Sequence, residues 1–172
     1  MKEVALLNGE FKECKLLLES GDKVRLTTNA CEGELISMDE LNVRSSRGSL
    51  KKGLVEELAG SSSFTKYEIQ DLANLMDMEM KMGEMNVRNV QKLFSKIRLN
   101  SSFTKVGLTF PQGAGYQLDL NRNKSLKLEL PKGVELDEHA ERNKIIGTKF
   151  IGDPQYTGKV ELEISNGSLF IQ

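Results

Sequence analysis

The sequence predicts an α+β protein: three helices and a hairpin in the order of a winged helix-turn-helix, with antiparallel β-structure before and after. Three observations carry that expectation. Thr65-Lys66-Tyr67-Glu68 is a capping box ahead of an apolar run. Val90, Leu93, Phe94 and Ile97 are spaced 3, 1 and 3, one face of a helix over about Val87–Leu99. Pro111-Gln112-Gly113-Ala114-Gly115 lies between two strand-like runs, as turn chemistry does.

Composition narrows the function. The 172 residues include 24 Lys and Arg against 25 Asp and Glu, a net charge of −1. That length can bury a sizeable core. No apolar run approaches the roughly 20 residues that span a bilayer. The N-terminal run MKEVALLNGEFKE turns acidic too early for a secretory signal, so a cytoplasmic protein without membrane contact is expected. Cys14, Cys31 and His139 are the only cysteines and histidine, too few for a four-ligand zinc site. Two half-buried thiols are the expected state of the cysteines in a reducing compartment. No phosphate loop, metal-spaced cluster or nucleophile elbow is present, so neither an enzyme nor a cofactor is expected.

Three regions follow: an N-terminal β-region (1–47), a helical domain (48–120) and a C-terminal β-rich module (121–172). In the first, Val4–Leu7, Glu13–Leu18, Lys23–Thr27, Glu32–Ser37 and Leu41–Ser45 read as strands. Asn8-Gly9 and Ser20-Gly21-Asp22 supply turns, which predicts an antiparallel meander. Lys23-Val24-Arg25-Leu26, Glu32–Asp39 and Asn42 together resemble the first Sm motif of Sm-like RNA-binding barrels, although a plain twisted hairpin produces the same alternation.

Ser49 caps a first helix over Leu50–Ala59, with Leu50, Leu54, Val55 and Leu58 on one stripe. Phe64 staples a second helix over Lys66–Met76, which buries Ile69, Leu72, Ala73 and Met76. The methionines from Met76 to Met85 read as gap-fillers. The expected core is Leu54, Leu58, Ile69, Leu72, Val90, Leu93 and Ile97. Lys105–Phe110 and Tyr116–Leu120 are the strands of a hairpin tipped by Gly113. Ser-Ser-Phe-Thr-Lys occurs at 62–66 and again at 101–105, a match too short to define a structural repeat. In the last region Ser125–Leu130, Lys149–Ile151, Gly158–Ile164 and Ser168–Ile171 read as strands. Asp137–Asn143 reads as a short helix and Asn166-Gly167 as a tight hairpin turn.

Charge suggests a partner. Between Met85 and Leu118 stand Arg88, Lys92, Lys96, Arg98 and Lys105, with no Asp or Glu. Residues 50–120 resemble the winged-helix output domain of OmpR/PhoB-type response regulators, through Val90, Leu93, Lys96 and Ile97 and through Gly113-Ala114-Gly115-Tyr116-Gln117-Leu118. The receiver domain and the wing arginine of that family have no counterpart; Gln112 stands in the arginine's place. The resemblance implies a sequence-specific DNA-binding transcriptional regulator of double-stranded DNA. Helix three would supply Arg88, Asn89, Gln91, Lys92, Ser95 and Lys96, with Lys105 and Gln112 on the wing. The alternative is a non-enzymatic winged-helix adaptor or inhibitor that binds another protein. A homodimer through the C-terminal module fits the DNA reading.

Overall fold

A computed structural model describes residues 6–172, and among them there is no helix. Strand β1 (Leu6–Lys12) pairs in parallel with residues 23–29 of β2 (Lys15–Val90), Leu6 beside Lys23 and Lys12 beside Asn29. Strand β2 has 76 residues. Drawn straight it would reach roughly 250 Å at ~3.3 Å per residue. It winds instead. Thr28 bonds Ser45, Asn74 bonds Glu57 and Asn89 bonds Asp71, contacts 17 or 18 residues apart. Through β3 the chain is therefore a parallel β-solenoid, each coil stacked on the one before.

One corner recurs in seven coils, from the first to that of the last strand. Glu13, Ala30, Arg47, Phe64, Met82, Phe103 and Asn166 all have φ between 48° and 62°, the left-handed region. A single left-handed residue turns the strand without ending its alternation. Behind it the next residue turns inward, so Cys14, Cys31, Gly48, Thr65, Gly83 and Thr104 form one column; Gly167, at the same register, is exposed. At Gly48 and Gly83 a Cβ would strike the backbone carbonyl of Cys31 or Thr65 in the coil below, which explains glycine there.

The last coils are not laid down in chain order. Strand β3 (Lys96–Leu108) stacks on the last part of β2, with Lys96 beside Leu75 and Leu108 beside Val87. Then β8 (Gly158–Ile171), near the end of the chain, pairs in parallel with β3. Strands β4 (Tyr116–Asn123) and β5 (Lys127–Glu129) lie on its other side, so β8 is inserted between coils made earlier in the sequence. An antiparallel hairpin, β6 (Asp137–Glu141) and β7 (Lys144–Ile151), closes that end against β4.

Inward residues make one core in columns. Val24, Leu41, Leu58, Met76, Ile97 and Val160 form one. Leu35, Lys52, Ile69, Val87, Leu108 and Ile171 form another. At ~25 cal/mol per Å² of apolar surface, such columns are the main stabilising term.

This architecture overturns several expectations. The fold is all-β, not α+β, and the winged helix-turn-helix with its resemblance to response-regulator output domains is absent. Residues 50–59 and 66–76 belong to β2, and 87–99 is the end of β2, a turn at 92–93 and the start of β3. The periodicity misled because coil corners change the spacing of inward residues from two to three. Leu35, Met38, Leu41 and then Lys52, Val55, Leu58 are spaced by threes, which imitates a helical stripe. Leu58, Ile69, Leu72, Val90 and Ile97 are buried as expected, but Leu54 is 37% and Leu93 81% exposed. Thr65 caps nothing: its hydroxyl is buried, donating to the Ser63 carbonyl at 3.0 Å. The N-terminal strands stack in parallel and are no meander; Val4 and Ala5 lie outside the described residues. The Pro111–Gly115 turn joins β3 and β4, which do not pair with each other, so there is no wing hairpin. Asp137–Glu141 is a strand, and Asn166-Gly167 is the corner of β8, stacked over Phe103 and Thr104.

Candidate functional site: end coil, corner ridge and core lysine

The residues expected to read DNA lie on no helix: they are spread over β2, β3 and the turns at 91–95 and 111–113. Arg88 reaches Glu68 at 3.9 Å, Lys105 reaches Glu84 at 3.5 Å and Lys96 reaches Glu161 at 2.8 Å. Lys159 and Lys96 together hold the Glu161 carboxyl down at about 2 by direct hydrogen bonds. Asn89 donates to Asp71 at 2.6 Å, and the Ser95 hydroxyl donates to the Asn74 carbonyl at 3.2 Å. Gln91 and Lys92 sit in an exposed turn, and Gln112 in the next one. A Cβ built on Gly113 would lie 3.5 Å from the Lys92 ammonium, so these two turns are neighbours. Among the described residues the basic cluster, Lys92 excepted, is thus matched by acids from adjacent coils. Sequence distance hid that pairing, since each acid stands a full coil or more from its partner. The missing helix removes the groove-reading element, and the DNA-binding regulator and winged-helix adaptor readings fall with it.

Lys52 is the most unusual side chain. It occupies an inward position between Leu35 and Ile69 and is 3% exposed. Its ammonium has no hydrogen-bond partner among the described residues and lies 4.6 Å from the centre of the Tyr67 ring. Burial drives its pKa from 10.5 down to about 7. Burial also pushes the Tyr67 phenol up to about 12. A neutral amine would be a nucleophile if a substrate could reach it, but this one is sealed inside the solenoid. Its effect falls on stability.

The left-handed corner carries an apolar ridge. Phe64, Met82 and Phe103 follow one another up three coils, with Phe64 60% exposed. Thr65 and Thr104, the residues behind the two phenylalanines, each donate to the carbonyl two residues back at 3.0 Å. The repeated Ser-Ser-Phe-Thr-Lys is therefore one corner built twice, two coils apart. It was the clearest trace of the coil period in the sequence.

The two ends differ. At the C-terminal end β6 forms the edge, and all five of its residues are exposed. Glu138 there is held by Arg122 at 3.0 Å and Asp137 by Lys149 at 3.5 Å. At the other end the first coil, residues 6–20, is stacked on one side only among the described residues. Its core positions stand partly open. Leu7 is exposed, and Leu16 and Leu18 are half-buried. The Phe11 ring folds across Gly9, where a Cβ would collide with it, and plugs part of the opening. Facing outward beside this opening are Lys15, Leu17 and Glu19, with Leu17 63% exposed. Hydrophobic patterning alone marked Leu16–Leu18 as strand, but only the coil geometry shows that one edge of it is free among the described residues.

No helix among the described residues is long and apolar enough to cross a membrane. Compared with known protein families, curated proteins and solved structures, the chain matches none.

Proposed function

We propose that this protein is a non-enzymatic β-solenoid scaffold that associates with a second copy of itself through the N-terminal end coil. The observation that carries the reading is the run Lys15-Leu16-Leu17-Leu18-Glu19 on a strand edge that is unpaired among the described residues. Such an edge offers a row of free N–H and C=O groups to another strand. Paired antiparallel with its own copy about Leu17, this run matches itself. Lys15 stands opposite Glu19 of the second copy, Leu17 opposite Leu17, and Leu16 opposite Leu18. The inward leucines then continue the core across the junction, and opposite charges meet outside, both favourable cross-strand pairs. The same two-fold operation applied to β6 sets Asp137 against Glu141 and His139 against itself. Like charges there oppose pairing, so the N-terminal end is favoured over a dimer through the C-terminal module.

Charge exchange tests this reading by sedimentation equilibrium. The native chain is expected to dimerise. Lys15→Glu alone, or Glu19→Lys alone, sets like charges across the junction and is expected to weaken association about tenfold or more. Combining the two exchanges restores the pairing and the dimer. A native monomer throughout, or a double variant no better than either single one, overturns the proposal.

A further inference from the structure

We propose that Cys14 and Cys31 form a thiol pair that closes to a disulfide by exchange with a small-molecule disulfide, stapling the end coil to the second coil. The two residues follow equivalent corners, Glu13 at φ 48° and Ala30 at φ 55°, and stand one coil apart in the chain, the same step that sets Leu6 beside Lys23. Backbone bonds flank the pair on both sides: Glu13 N–H donates to the Asn29 carbonyl at 2.9 Å, and Glu32 N–H donates to the Cys14 carbonyl at 3.0 Å. Neighbouring strands lie ~4.8 Å apart, within the roughly 4.4–6.8 Å between α-carbons that a disulfide spans. The thiols already touch, with the Cys14 Sγ donating to the Cys31 Sγ at 2.8 Å.

The reaction has a set order because access differs. Cys14 is half-buried and Cys31 is buried. Cys14 loses its proton and attacks one sulfur of the external disulfide. One small thiolate leaves, and a mixed disulfide forms on Cys14. Cys31 then loses its proton and attacks the Cys14 Sγ, expelling the second small thiolate. Two protein thiols are oxidised, one external disulfide is reduced to two thiols, and the two protons pass to them. The hydrogen bond to Cys31, aided by burial, pushes the Cys14 thiol up to about 11, so exchange quickens as pH rises above neutrality. This inference does not rest on self-association.

The test incubates the native chain with oxidised glutathione and counts thiols by titration and intact mass. The native chain is expected to go from two titratable thiols to none, with the loss of two hydrogens and no glutathione retained. The Cys31→Ser variant is expected to stop at one retained glutathione, on Cys14. The Cys14→Ser variant, with only a buried thiol, is expected to react at least tenfold more slowly. The Glu19→Lys chain, whose end pairing is weakened, is expected to close the bond like the native chain, which separates this outcome from the scaffold reading. Two unreacted thiols, stable glutathione adducts on the native chain, or cross-linking only between chains would each overturn the proposal.

Discussion

Lys52→Met should stabilise the protein, and the effect should depend on pH in a defined direction. Lysine and methionine have similar unbranched stems, so the column between Leu35 and Ile69 keeps its packing. The substitution removes the buried amine with no partner among the described residues. A fall in pKa from 10.5 to about 7, at 1.36 kcal/mol per pH unit, comes to roughly 5 kcal/mol of destabilisation when the unfolded lysine is fully charged. The sign follows from proton counting. Between pH 7 and 10.5 the unfolded lysine holds a proton that the folded one has released. Stability therefore rises with pH through that window, and the destabilisation is complete below pH 7. Repacking around the thioether and loss of the Tyr67 contact reduce the gain, so Lys52→Met should be about 2–4 kcal/mol more stable at pH 7. Urea denaturation of both proteins at pH 7.5 and 9.5 should show the difference shrinking by about 2–3 kcal/mol. A variant less stable than the native chain at pH 7.5 would refute the reasoning, as would a difference that does not move with pH.

Three further substitutions probe the architecture. Leu93→Ala should change stability by no more than about 0.5 kcal/mol in urea denaturation, because the side chain stands in solvent, whereas Ile97→Ala should cost about 2–5 kcal/mol. Phe103→Asn, at an exposed corner with φ 54°, should gain about 0.5–1 kcal/mol by melting or denaturation, since asparagine tolerates left-handed backbone; a loss would show that the ridge packs against something. Gly60→Ala should lose about 2 kcal/mol or more, because φ is +142° and the new Cβ would meet the Val43 carbonyl; a neutral result would place the coils further apart than this register does.

How much of this was legible in the sequence depended on the element. The apolar–polar alternation of residues 23–27 and 160–164 is plain strand, and both are strands. Most of the expected core was right, because inward positions are apolar whatever the backbone does. The helices were wrong for a physical reason. A coil with corners presents buried residues at twos and threes, and a window laid across a corner reads as a helical face. Leu54 and Leu93 fitted that face and turned out to lie on the outside. The period of the solenoid was hidden because the step between stacked neighbours lengthens along the chain, from 17 at Thr28 and Ser45 to 18 at Asp71 and Asn89 and 21 at Asn74 and Ser95. That drift blurs self-similarity, and only the Ser-Ser-Phe-Thr-Lys match survived it. The insertion of β8 between β3 and β4 left no mark in the sequence, since it depends on which edge stays open while the chain returns. The site was less legible still. Lys15 and Glu19 look like ordinary surface charges until the edge beside them is seen to be open, and Lys52 looks exposed until its column is counted.

The winding of the chain is tested most directly by one distance. Arg25 and Arg98 face outward in one column that passes Asn42, Ala59 and Asp77, four coils apart; Arg98 lies 3.9 Å from Asp77 in the adjacent coil. At ~4.8 Å per coil, spin labels at 25 and 98 should lie on the order of 20 Å apart, with a narrow distribution, by pulsed dipolar spectroscopy. A narrow peak near that value bears out the stacked coils. A separation beyond about 35 Å, or a broad spread, would contradict them.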